Sequence, residues 1–571
     1  MSAPDLRVRP QPNVAEIAAY KPRRRRDGID LWLDANEAGA PLPELAESLR
    51  IASDTTNRYP KNGELESLLS ELFRIDRQQV LVTAGGDDGL ERGVRAVCSP
   101  GREVILTTPG FEMLERYVLL SGGAVTELSW WSGEWPVDEA IATASSRTCA
   151  IAMVSPNNPT GSVVSSAALT RLARALPGVL VLLDLAYVEF ADEDLTPTAL
   201  ELPNVVVFRT LSKAWAAAGL RVGYALGDAR VISWLRAAGQ PYAVSAPSLI
   251  AARRLLSKAQ GLGSHVEGVV RQRDRVLRGL RELGLEAMDS QANFVLVRFQ
   301  DAQWTLDALA GLGIGVRSFP GKPGLEAWLR ITIPSEESLA DRLLASIRSA
   351  LRPEALLFDL DGVLADVSQS YRLAIVQTAS AFGVELGPDE IAAAKAAGNS
   401  NNDWLLTQAL LRRHGVEQPL SKIREVFEGL YQGAGGQRGL WQDEPLLIHR
   451  EVLEELAALY PLAIVTGRPR SDALRFLEMH GVQEFFAAVV TLEDGPSKPD
   501  PAPVLRALDA LAVERAWMLG DTPDDISAAR EAGVIPIGVM APTDDVELVR
   551  EGLRHASRVL RSVNEIREIL P

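Results

Sequence analysis

A single lysine stands among small, apolar residues in the stretch RTLSKAWAAAGLRVG, residues 209–223. An ordinary amphipathic helix would turn a lysine toward water and surround it with charged neighbours. Near-apolar surroundings disfavour the charged ammonium, which makes the amine of Lys213 a nucleophile toward carbonyl groups. Ser212 and Arg221 are its nearest useful partners, and a hydroxyl and a guanidinium fork suit a phosphate group. The stretch therefore predicts a site for a ligand that carries both a carbonyl and a phosphate, as pyridoxal phosphate does.

Other strand-like runs end in residues that suit the same cofactor. VLVLLDLAYVEF places Asp184 after an apolar run, with Tyr187 close behind it, and an acid there can keep a pyridine nitrogen protonated. SPNNPTG offers Asn158 as a donor to the ring oxygen, and TTPGFEML offers Phe111 to cover the ring. VTAGGDDGLERGV predicts a strand, a Gly-Gly turn and a helix, whose N-terminus can bind an anion. Alone, NNPTG could be a common turn and D-x-A-Y a structural motif, but together and in order the parts favour the cofactor site.

Residues 13–350 resemble the fold-type I aminotransferases and, within them, the histidinol-phosphate aminotransferases. The stretches that carry the resemblance are IAAYKP, LDANE, NRYP, SPNNPTG, the D-x-A-Y-x-E-F motif of 184–190, TLSKA, AGLRVG, QPYAVS, ANFVLVRF and LRIT. The resemblance implies that Lys213 binds the cofactor aldehyde. It implies further cofactor contacts from Asp184 at the pyridine nitrogen, Asn158 and Tyr187 at the ring oxygen, Phe111 over the ring, and Ser212, Arg221 and the backbone of Gly86 and Asp87 at the phosphate.

The same resemblance implies a homodimer and an anionic substrate. Tyr59 would reach the cofactor phosphate from the second subunit. The substrate's phosphate or carboxylate would be held by Tyr20, Arg317 and Arg330. The doubled use of arginine favours a phosphorylated substrate.

Several positions depart from the family pattern. Leu185 stands where an acid is usual, and Phe111 stands after Gly110 where a tyrosine is common. LDANEAGA lacks the usual Asn-Pro after the glutamate, and Pro334 replaces the usual glycine after LRIT. These departures leave the cofactor residues in place but loosen the substrate assignment, since aromatic aminotransferases and threonine-phosphate decarboxylases are related enzymes.

A second set of chemical groups begins with Asp359 and Asp361 at the end of EALLFDLD. Side chains two apart share a face of a strand, so the two carboxylates can bind a divalent cation and divide labour, one attacking and one carrying a proton. Later apolar runs end in Thr466 of YPLAIVTGRP, Lys498 of DGPSKPDP, and Asp521 and Asp525 of WMLGDTPDD. D-x-D alone is often a solvated turn, but these groups in order indicate phosphate chemistry with Mg²⁺.

Residues 355–571 resemble the haloacid-dehalogenase-like phosphohydrolases. The resemblance implies that Asp359 is the nucleophile that forms an aspartyl-phosphate and that Asp361 is the general acid and then the base. It implies that Thr466 and Lys498 bind the transferring phosphoryl group. The implied ligands of Mg²⁺ are Asp359, Asp521, Asp525 and the backbone carbonyl of Asp361.

Short apolar runs alternate with helical patterns along most of the chain, which predicts α/β domains. Strands of a parallel or mixed sheet, covered on both faces, are predicted at QQVLVT, REVILTTP, CAIAMVSP, VLVLLD, NVVVFRT and RVGYALG. Antiparallel strands of a smaller domain are predicted at QANFVLVRF, LGIGVRSFPG and AWLRITI. The predicted fold is a fold-type I aminotransferase, with a large α/β and a small α+β domain, followed by a haloacid-dehalogenase-like doubly wound α/β domain with a helical cap.

The predicted boundary between the two halves lies near residue 350. The aminotransferase would occupy 1–350, with its large domain at about 45–250 and its small domain made of the N-terminal arm and about 265–350. The phosphohydrolase would occupy 354–571, with the cap at about 367–445, and strands are predicted at YPLAIVTG, FFAAVVT and RAWMLGD. The joint is short and not rich in Gly or Ser, so the halves are expected to pack together. The cap loop GNSNNDW, 398–404, either reads the substrate or is a plain helix–helix turn.

The composition limits the partners of the chain. Its 571 residues carry a formal net charge of -16, which argues against nucleic acid and anionic membranes as partners. The run KPRRRR at 21–26 reads as a solvated surface segment rather than a nuclear-localisation or polyanion-binding signal. The two cysteines form no disulfide framework and no C-x-x-C pair, which suits a reducing cytoplasm. No apolar run reaches the roughly 18 residues that a membrane span needs.

The pairing of the two halves predicts a bifunctional enzyme. Glutamate would give its amino group to imidazole acetol phosphate, and the second half would hydrolyse the histidinol phosphate so formed. Two alternatives stay open. In one, the first half serves another aromatic or phosphorylated amino acid and the phosphatase has an unrelated substrate. In the other, the C-terminal half binds phosphometabolites without turnover.

Overall fold

Two compact units divide the polypeptide, as seen in a computed structural model. The structure describes residues 11–570 except 16, 19–26, 51–52, 259–260, 397, 399–401, 434 and 543–545, so Tyr20 and the basic run lie outside the described residues, as does part of the 398–404 loop. The first unit includes Trp32–Gln300 and Val316–Asp341, and the second includes Asp301–Gly315 and Arg342–Pro571. Each unit is organised around its own sheets.

The strands of the chain are short and mostly buried. Up to residue 332 they are β1 (Leu31–Leu33), β2 (Val80–Thr83), β3 (Glu103–Thr108), β4 (Ala124–Ser129), β5 (Thr148–Val154), β6 (Leu180–Asp184), β7 (Val205–Thr210), β8 (Gly223–Gly227), β9 (Glu286–Ala287), β10 (Phe294–Arg298), β11 (Ile314–Ser318) and β12 (Trp328–Thr332). The remaining strands are β13 (Ala355–Phe358), β14 (Leu462–Val465), β15 (Phe486–Val490), β16 (Ala516–Gly520), β17 (Ile535–Val539) and β18 (Arg558–Leu560).

Helices separate these strands. Up to residue 351 they are α1 (Pro12–Ala15), α2 (Pro43–Ser48), α3 (Gly63–Phe73), α4 (Gly85–Val97), α5 (Glu112–Leu120), α6 (Val137–Thr143), α7 (Ser166–Ala175), α8 (Thr196–Leu200), α9 (Ala229–Ala238), α10 (Ala246–Ser257), α11 (Leu262–Glu282), α12 (Ala302–Gly311) and α13 (Glu337–Leu351). Beyond it lie α14 (Tyr371–Ala381), α15 (Pro388–Ala396), α16 (Asp403–Arg413), α17 (Leu420–Gln432), α18 (Arg450–Leu459), α19 (Arg470–His480), α20 (Ala502–Leu511), α21 (Pro523–Glu531) and α22 (Val546–Gly552).

A seven-stranded mixed sheet forms the core of the first unit. Its strand order is β2-β8-β7-β6-β5-β3-β4, and β8 runs antiparallel to both of its neighbours while the other pairs are parallel. All residues of β5, β6 and β7 are buried, because helices cover both faces of the sheet. The six strands predicted from apolar runs are confirmed as β2, β3, β5, β6, β7 and β8. The parallel strands end at one edge, where ligands bind in open α/β sheets.

A smaller sheet has the order β1-β11-β12-β10-β9. Its pairs β10–β12, β10–β9 and β11–β12 are antiparallel, as predicted for QANFVLVRF, LGIGVRSFPG and AWLRITI. In this register Arg317 of β11 faces Arg330 of β12 as its cross-strand partner. The sheet therefore brings two of the predicted anion-binding residues side by side.

The second unit contains a six-stranded parallel sheet. Its order is β15-β14-β13-β16-β17-β18, so β13 lies between the strands that precede Thr466 and Asp521. The segment predicted to be a helical cap contains α14, α15, α16 and α17. The predicted doubly wound sheet and the helical insertion are thus confirmed. Among the described helices, none is both long and apolar enough to span a bilayer.

The packing units do not coincide with the boundary that the sequence suggested at residue 350. Helix α12 and the end of α13 belong to the second unit, because Trp304 packs against Trp517 with 4.6 Å between ring centroids. Trp304 Nε1 donates to Ala350 O at 2.9 Å, and Trp517 Nε1 donates to Ser349 O at 2.7 Å. These contacts explain why the chain passes from α13 to β13 with a joint of only a few residues.

Candidate active sites

Lys213 follows β7 and lies half-buried at the carboxyl edge of the large sheet. Its Nζ donates to Ala35 O at 3.0 Å and lies 5.6 Å from the centroid of the Tyr187 ring. The neighbouring Ala214 is fully buried and Trp215 is nearly so, which agrees with the apolar surroundings inferred from the sequence. The amine is therefore held next to an aromatic face and a backbone carbonyl.

Asp184 ends β6 and is buried. Its Oδ1 accepts a hydrogen bond from Ala186 N at 3.0 Å. Burial raises the pKa of Asp184 to about 7, although the Ala186 N–H and the charge of Lys213 act in the opposite direction. Among the described residues, none forms a salt bridge with Asp184, so the protonated nitrogen of a pyridine ring fits this buried carboxylate.

The groups predicted to bind a phosphate lie together at the start of α4. Arg221 Nη1 donates to Ser212 Oγ at 3.4 Å, and Arg221 Nη2 lies 3.6 Å from Asp87 Oδ2. Gly86 and Asp87 are in the first turn of this helix, where backbone N–H groups have no acceptor within the helix. A hydroxyl, a guanidinium and a helix N-terminus thus converge, which is a fitting cradle for a phosphate dianion.

Two glycines make this cradle possible. Gly85 has a φ of +86°, and a Cβ there would lie 2.8 Å from Arg221 Nη2. A Cβ on Gly223, the first residue of β8, would lie 2.6 Å from the carbonyl carbon of Gly85 and 2.7 Å from Arg209 O. The backbones of β8 and of the turn before α4 therefore approach each other more closely than any side chain would allow.

Arg330 is buried and joins several predicted site residues. Its Nη1 donates to Asn158 Oδ1 and its Nη2 donates to Asp34 O, both at 2.6 Å. Burial lowers the pKa of Arg330 to about 10. Asn36, which the sequence reasoning missed although LDANE contains it, donates from Nδ2 to the Tyr187 hydroxyl at 3.0 Å. Arg330 thus binds Asn158, and Asn36 binds Tyr187.

The other predicted residues of the first unit have contacts of their own. Arg317 Nη2 lies 3.1 Å from Glu112 Oε1, an acidic partner that the sequence reasoning also missed. Phe111 is half-buried and immediately precedes α5. Tyr59 is 78% exposed and stacks on the exposed Tyr242 with 4.7 Å between ring centroids.

In the second unit, three carboxylates come together at the ends of two neighbouring strands. Asp359 follows β13, Asp521 follows β16, and Asp525 lies in the first turn of α21. One oxygen from each lies within 4.8 Å of the others, a spacing that suits one metal ion. Thr522 Oγ1 donates to Asp525 Oδ2 at 2.6 Å, which fixes that carboxylate. Hard oxygen donors of this kind fit Mg²⁺.

Lys498 lies among these carboxylates and is buried. Its Nζ lies 2.9 Å from Asp359 Oδ1 and 2.5 Å from Asp525 Oδ1, and it donates to Val465 O at 2.9 Å. Burial raises the pKa of Asp359 to about 7, while the charge of Lys498 acts against this rise. Burial opposes the charge of Lys498, but Asp359 and Asp525 act more strongly and raise its pKa. Thr466, buried beside them at the end of β14, accepts from Arg468 N at 3.1 Å.

Asp361 is held by a residue that carried no role in the sequence reasoning. Arg468 Nε donates to Asp361 Oδ1 at 2.6 Å, and Arg468 Nη1 donates to Glu444 Oε2 at 2.8 Å. Arg468 is the arginine of the T-G-R motif, so a signal was present, but Glu444 lies in the cap segment without any motif. The site is therefore built from the sheet and from the base of the cap.

The cap adds a second ion pair. Lys395 Nζ, near the end of α15, lies 3.8 Å from Asp403 Oδ1 at the start of α16. Burial opposes the charge of Lys395, but Asp403 and Asp521 act more strongly and raise its pKa. A Cβ on the nearby Gly398 would lie 3.1 Å from Asp524 Oδ1, so this part of the cap lies next to the first turn of α21. Neither Lys395 nor Asp403 was singled out from the sequence.

Comparison with known proteins shows the family of each half of the chain. Residues 29–347 match the family model for aminotransferase class I and II, and residues 353–533 match the model for haloacid dehalogenase-like hydrolase. A histidinol-phosphate aminotransferase of Pectobacterium carotovorum subsp. carotovorum is 33% identical over 348 residues, which are 59% of this chain and 96% of that protein. An aromatic amino acid aminotransferase of Mycobacterium sp. (strain KMS) is 34% identical over 316 residues, 53% of this chain and 88% of that protein.

A third relative covers a smaller part. An imidazoleglycerol-phosphate dehydratase of Phytophthora nicotianae is 48% identical over 197 residues, which are 33% of this chain, and the chain spans only 44% of that protein. Among solved structures, histidinol-phosphate aminotransferase from Sinorhizobium meliloti in complex with pyridoxal-5'-phosphate superposes with a TM-score of 0.54 at 25% identity, covering 60% of this chain and 98% of that one. The chain thus belongs to the aminotransferase class I and II family, and a haloacid dehalogenase-like hydrolase domain follows in the same polypeptide.

Proposed function

We propose that the chain is a bifunctional enzyme that makes and then dephosphorylates histidinol phosphate. The first reaction would transfer the amino group of glutamate to imidazole acetol phosphate, and the second would release inorganic phosphate from the product. The observation that carries the proposal is the convergence of Lys213, the buried Asp184 and the Ser212–Arg221 pair at one sheet edge. The histidinol-phosphate aminotransferase that matches over nearly its whole length supports this choice of substrate.

Pyridoxal phosphate would supply an aldehyde that accepts amino groups and a ring that withdraws electrons from the substrate's Cα. The residues of the chain would hold it at three points. Ser212, Arg221 and the first turn of α4 would bind its phosphate, Asp184 would hold the proton of its ring nitrogen, and Asn158 and Tyr187 would hold the ring oxygen. Lys213 Nζ would move the proton at the substrate's Cα, since it is the amine next to Tyr187.

The substrate's anionic group would be bound by arginines of the small sheet. Arg317 and Arg330 are cross-strand neighbours and can both reach one side of the site, with Tyr20 as the third predicted contact. Tyr59 would complete the site of a second subunit in a homodimer. Its exposure together with Tyr242 supports this, because aromatic residues are enriched at protein interfaces relative to the rest of the surface.

The phosphatase reaction would use a covalent intermediate on the protein. A carboxylate oxygen of Asp359 would attack phosphorus and form an O–P bond, while the ester P–O bond breaks and Asp361 gives a proton to the leaving oxygen. Asp361 would then take a proton from the water that attacks the aspartyl-phosphate. Lys498 and Thr466 would bind the phosphoryl oxygens, and Mg²⁺ would be held by the Asp359, Asp521 and Asp525 carboxylates with the backbone carbonyl of Asp361.

We assign the aminotransferase to 1–350, with a large domain at about 45–250 and a small domain from the N-terminal arm and about 265–350. We assign the phosphohydrolase to 354–571, with its cap at about 367–445. The two buried, free cysteines suit a reducing compartment such as the cytoplasm.

The test is a coupled assay with the purified full chain, glutamate and imidazole acetol phosphate. We expect 2-oxoglutarate, histidinol and inorganic phosphate. Lys213→Ala should abolish 2-oxoglutarate formation and leave phosphate release from added histidinol phosphate intact, whereas Asp359→Asn should do the reverse. Absence of amino transfer to the phosphorylated ketone would contradict the first assignment, and phosphate release by Asp359→Asn would contradict the second.

An aromatic amino acid transaminase is the second candidate. The 34% identity to the mycobacterial aromatic aminotransferase favours it. The kcat/KM values for phenylpyruvate and for imidazole acetol phosphate distinguish the two candidates, because an aromatic transaminase would have the higher value with phenylpyruvate. A C-terminal half that binds phosphometabolites without turnover would release no phosphate from any ester while still binding one.

A further inference from the structure

A fully buried arginine connects the proposed phosphatase site to the base of its cap. Arg468 is 1% exposed. Besides the 2.6 Å hydrogen bond from its Nε, its Nη2 lies 2.5 Å from Asp361 Oδ1. On the other side, Nη1 donates to Glu444 Oε2 at 2.8 Å and to the Tyr431 hydroxyl at 3.3 Å. The guanidinium therefore bridges two carboxylates that would otherwise repel each other.

The partners of Arg468 come from the two places where the chain enters and leaves the cap. Tyr371, the first residue of α14, lies under the guanidinium with 4.8 Å from Cζ to the ring centroid. Tyr431 is near the end of α17, and its hydroxyl donates to Glu444 Oε1 at 3.2 Å. Asp366 N donates to Pro445 O at 3.0 Å, which connects the segment that enters the cap to the segment that leaves it. Arg468 itself follows β14, so it joins the sheet to the cap base.

We propose that Arg468 is a positioning residue that orients Asp361 for proton transfer and makes this orientation depend on the cap base. The inference rests on the proposed phosphatase function. Both contacts from Arg468 use Oδ1 of Asp361, so Oδ2 is the oxygen that can exchange a proton with the ester. Without the guanidinium, the Asp361 carboxylate is free to rotate toward other cations of the cluster.

The chemistry of the leaving group distinguishes a positioning role of Arg468 from a merely structural one. An alkoxide leaves poorly and needs a proton as the P–O bond breaks, whereas p-nitrophenolate leaves without one. A misplaced general acid should therefore slow the hydrolysis of an alkyl phosphate far more than that of p-nitrophenyl phosphate. A general loss of folding or of Mg²⁺ would slow both esters to the same extent.

The experiment compares glycerol 2-phosphate and p-nitrophenyl phosphate with the full chain in Mg²⁺. We expect Arg468→Met to lower kcat for glycerol 2-phosphate by about 10- to 100-fold, less than the roughly 100- to 10,000-fold that general acid catalysis contributes, because the acid is misoriented rather than removed. The kcat for p-nitrophenyl phosphate should fall less than about 3-fold. Arg470→Gln is the matched control, because Arg470 lies two residues further on, is half exposed and pairs with Asp494. It should leave both rates unchanged.

A second pair of variants tests the route through Asp361. In an Asp361→Asn background, Arg468→Met should cause no further loss with glycerol 2-phosphate, since the group that Arg468 orients is already inactive. Arg468→Lys keeps a charge between Glu444 and Asp361 and serves where Arg468→Met does not fold. It should show the same preference for p-nitrophenyl phosphate, with a smaller loss for the alkyl ester.

Equal losses for both esters, or additive losses in the Asp361→Asn background, would overturn the inference while the phosphatase function stands. Hydrolysis of neither ester by the unchanged chain would instead overturn the phosphatase function, and the role of Arg468 with it. Transaminase activity of each variant, measured in the same preparation, reports that the first half of the chain is intact.

Discussion

The buried Asp184 lowers the stability of the cofactor-free fold at high pH, yet it suits the binding of the proposed cofactor. Its pKa is raised from the ordinary 3.8 to about 7 by burial, so the folded chain without cofactor holds the proton more tightly than the unfolded chain does. The stability that comes from this proton is fully present below pH 3.8 and is lost as the pH rises through about 7. The shift corresponds to at most about 4 kcal/mol.

Asp184→Asn should therefore stabilise the cofactor-free protein at pH 8 by roughly 1–4 kcal/mol and by less than half as much near pH 5, where the folded chain still holds the proton that the unfolded chain has mostly lost. The free energy of unfolding from urea titrations at the two pH values measures this. Pyridoxal phosphate should reverse the order at pH 8, because only the carboxylate of the parent can pair with a protonated ring nitrogen. The same stability difference at both pH values would contradict the assigned burial of the charge.

Arg221 offers a test at the opposite end of the cofactor. Arg221→Ala removes a charged donor from the proposed phosphate site and should cost about 1.5–3 kcal/mol of binding, or roughly 10- to 100-fold in the Kd for pyridoxal phosphate. Arg230→Ala is the matched control, because Arg230 is 77% exposed and pairs with Asp228 at 2.9 Å. Absorbance titration of both variants measures the Kd. Unchanged affinity in Arg221→Ala would place the phosphate elsewhere.

The residues proposed to bind ligands directly were singled out from the sequence, whereas the residues that contact and orient them mostly were not. Lys213 and Asp359 stand in motifs whose chemistry is readable from residue type and spacing. Asn36, Glu112 and Glu444 meet their partners across long stretches of chain, at separations of 151, 205 and 24 residues. Asn36 stands in the LDANE stretch, but nothing local marks Glu112 or Glu444, because their role depends on which strands and helices become neighbours in the fold.

Strands were predictable at the level of elements because buried strands of α/β sheets are short, continuous apolar runs. Their direction was not. β8 has the same kind of apolar sequence as β7, yet it runs antiparallel to it. Direction is set by the connection, and residues 211–222 contain only a short 3-10 helix, Ala218–Leu220, rather than the α-helix that usually carries the chain back for a parallel pair. β17 and β18 were also missed.

The third prediction concerns Gly223, where the backbone of β8 lies close to the turn before α4. Gly223→Ala would place a Cβ 2.6 Å from the carbonyl carbon of Gly85, so β8 must move away from the turn before α4. We expect a loss of about 1–3 kcal/mol in stability, and weaker cofactor binding because the same turn begins the proposed phosphate site. Gly219→Ala is the control in the same loop, because a Cβ there meets nothing within 4 Å.

Thermal unfolding and cofactor titration of the two glycine variants separate the effects. If Gly223→Ala keeps the parent's melting temperature and its affinity for pyridoxal phosphate, β8 can move away from the turn before α4 without loss of stability or binding. If Gly219→Ala were equally damaging, the loss would come from the loop's conformational freedom rather than from the contact with Gly85.

On the scale of the whole molecule, sequence families and packing units divide the chain differently. Residues 301–315 lie within the segment that matches aminotransferases, yet they pack in the second unit. Trp304 is the centre of this packing, since it contacts Trp517 and Arg558 lies over its ring at 5.3 Å. A sequence pattern shows where apolar runs lie, but not which of two cores will receive a given helix.

Trp304→Ala should therefore reduce the heat resistance of the hydrolase, although the residue lies outside the hydrolase-like segment. Loss of a buried tryptophan costs about 3–5 kcal/mol, which in a unit of this size lowers the melting temperature by roughly 10 °C. The midpoint for heat inactivation of phosphate release measures this. Trp234→Ala, at a residue of α9 that is 49% exposed, is the control and should leave the midpoint unchanged. A hydrolase that keeps its midpoint in Trp304→Ala would show that its core is complete without α12, and the packing of Trp304 on Trp517 would then add nothing to its stability.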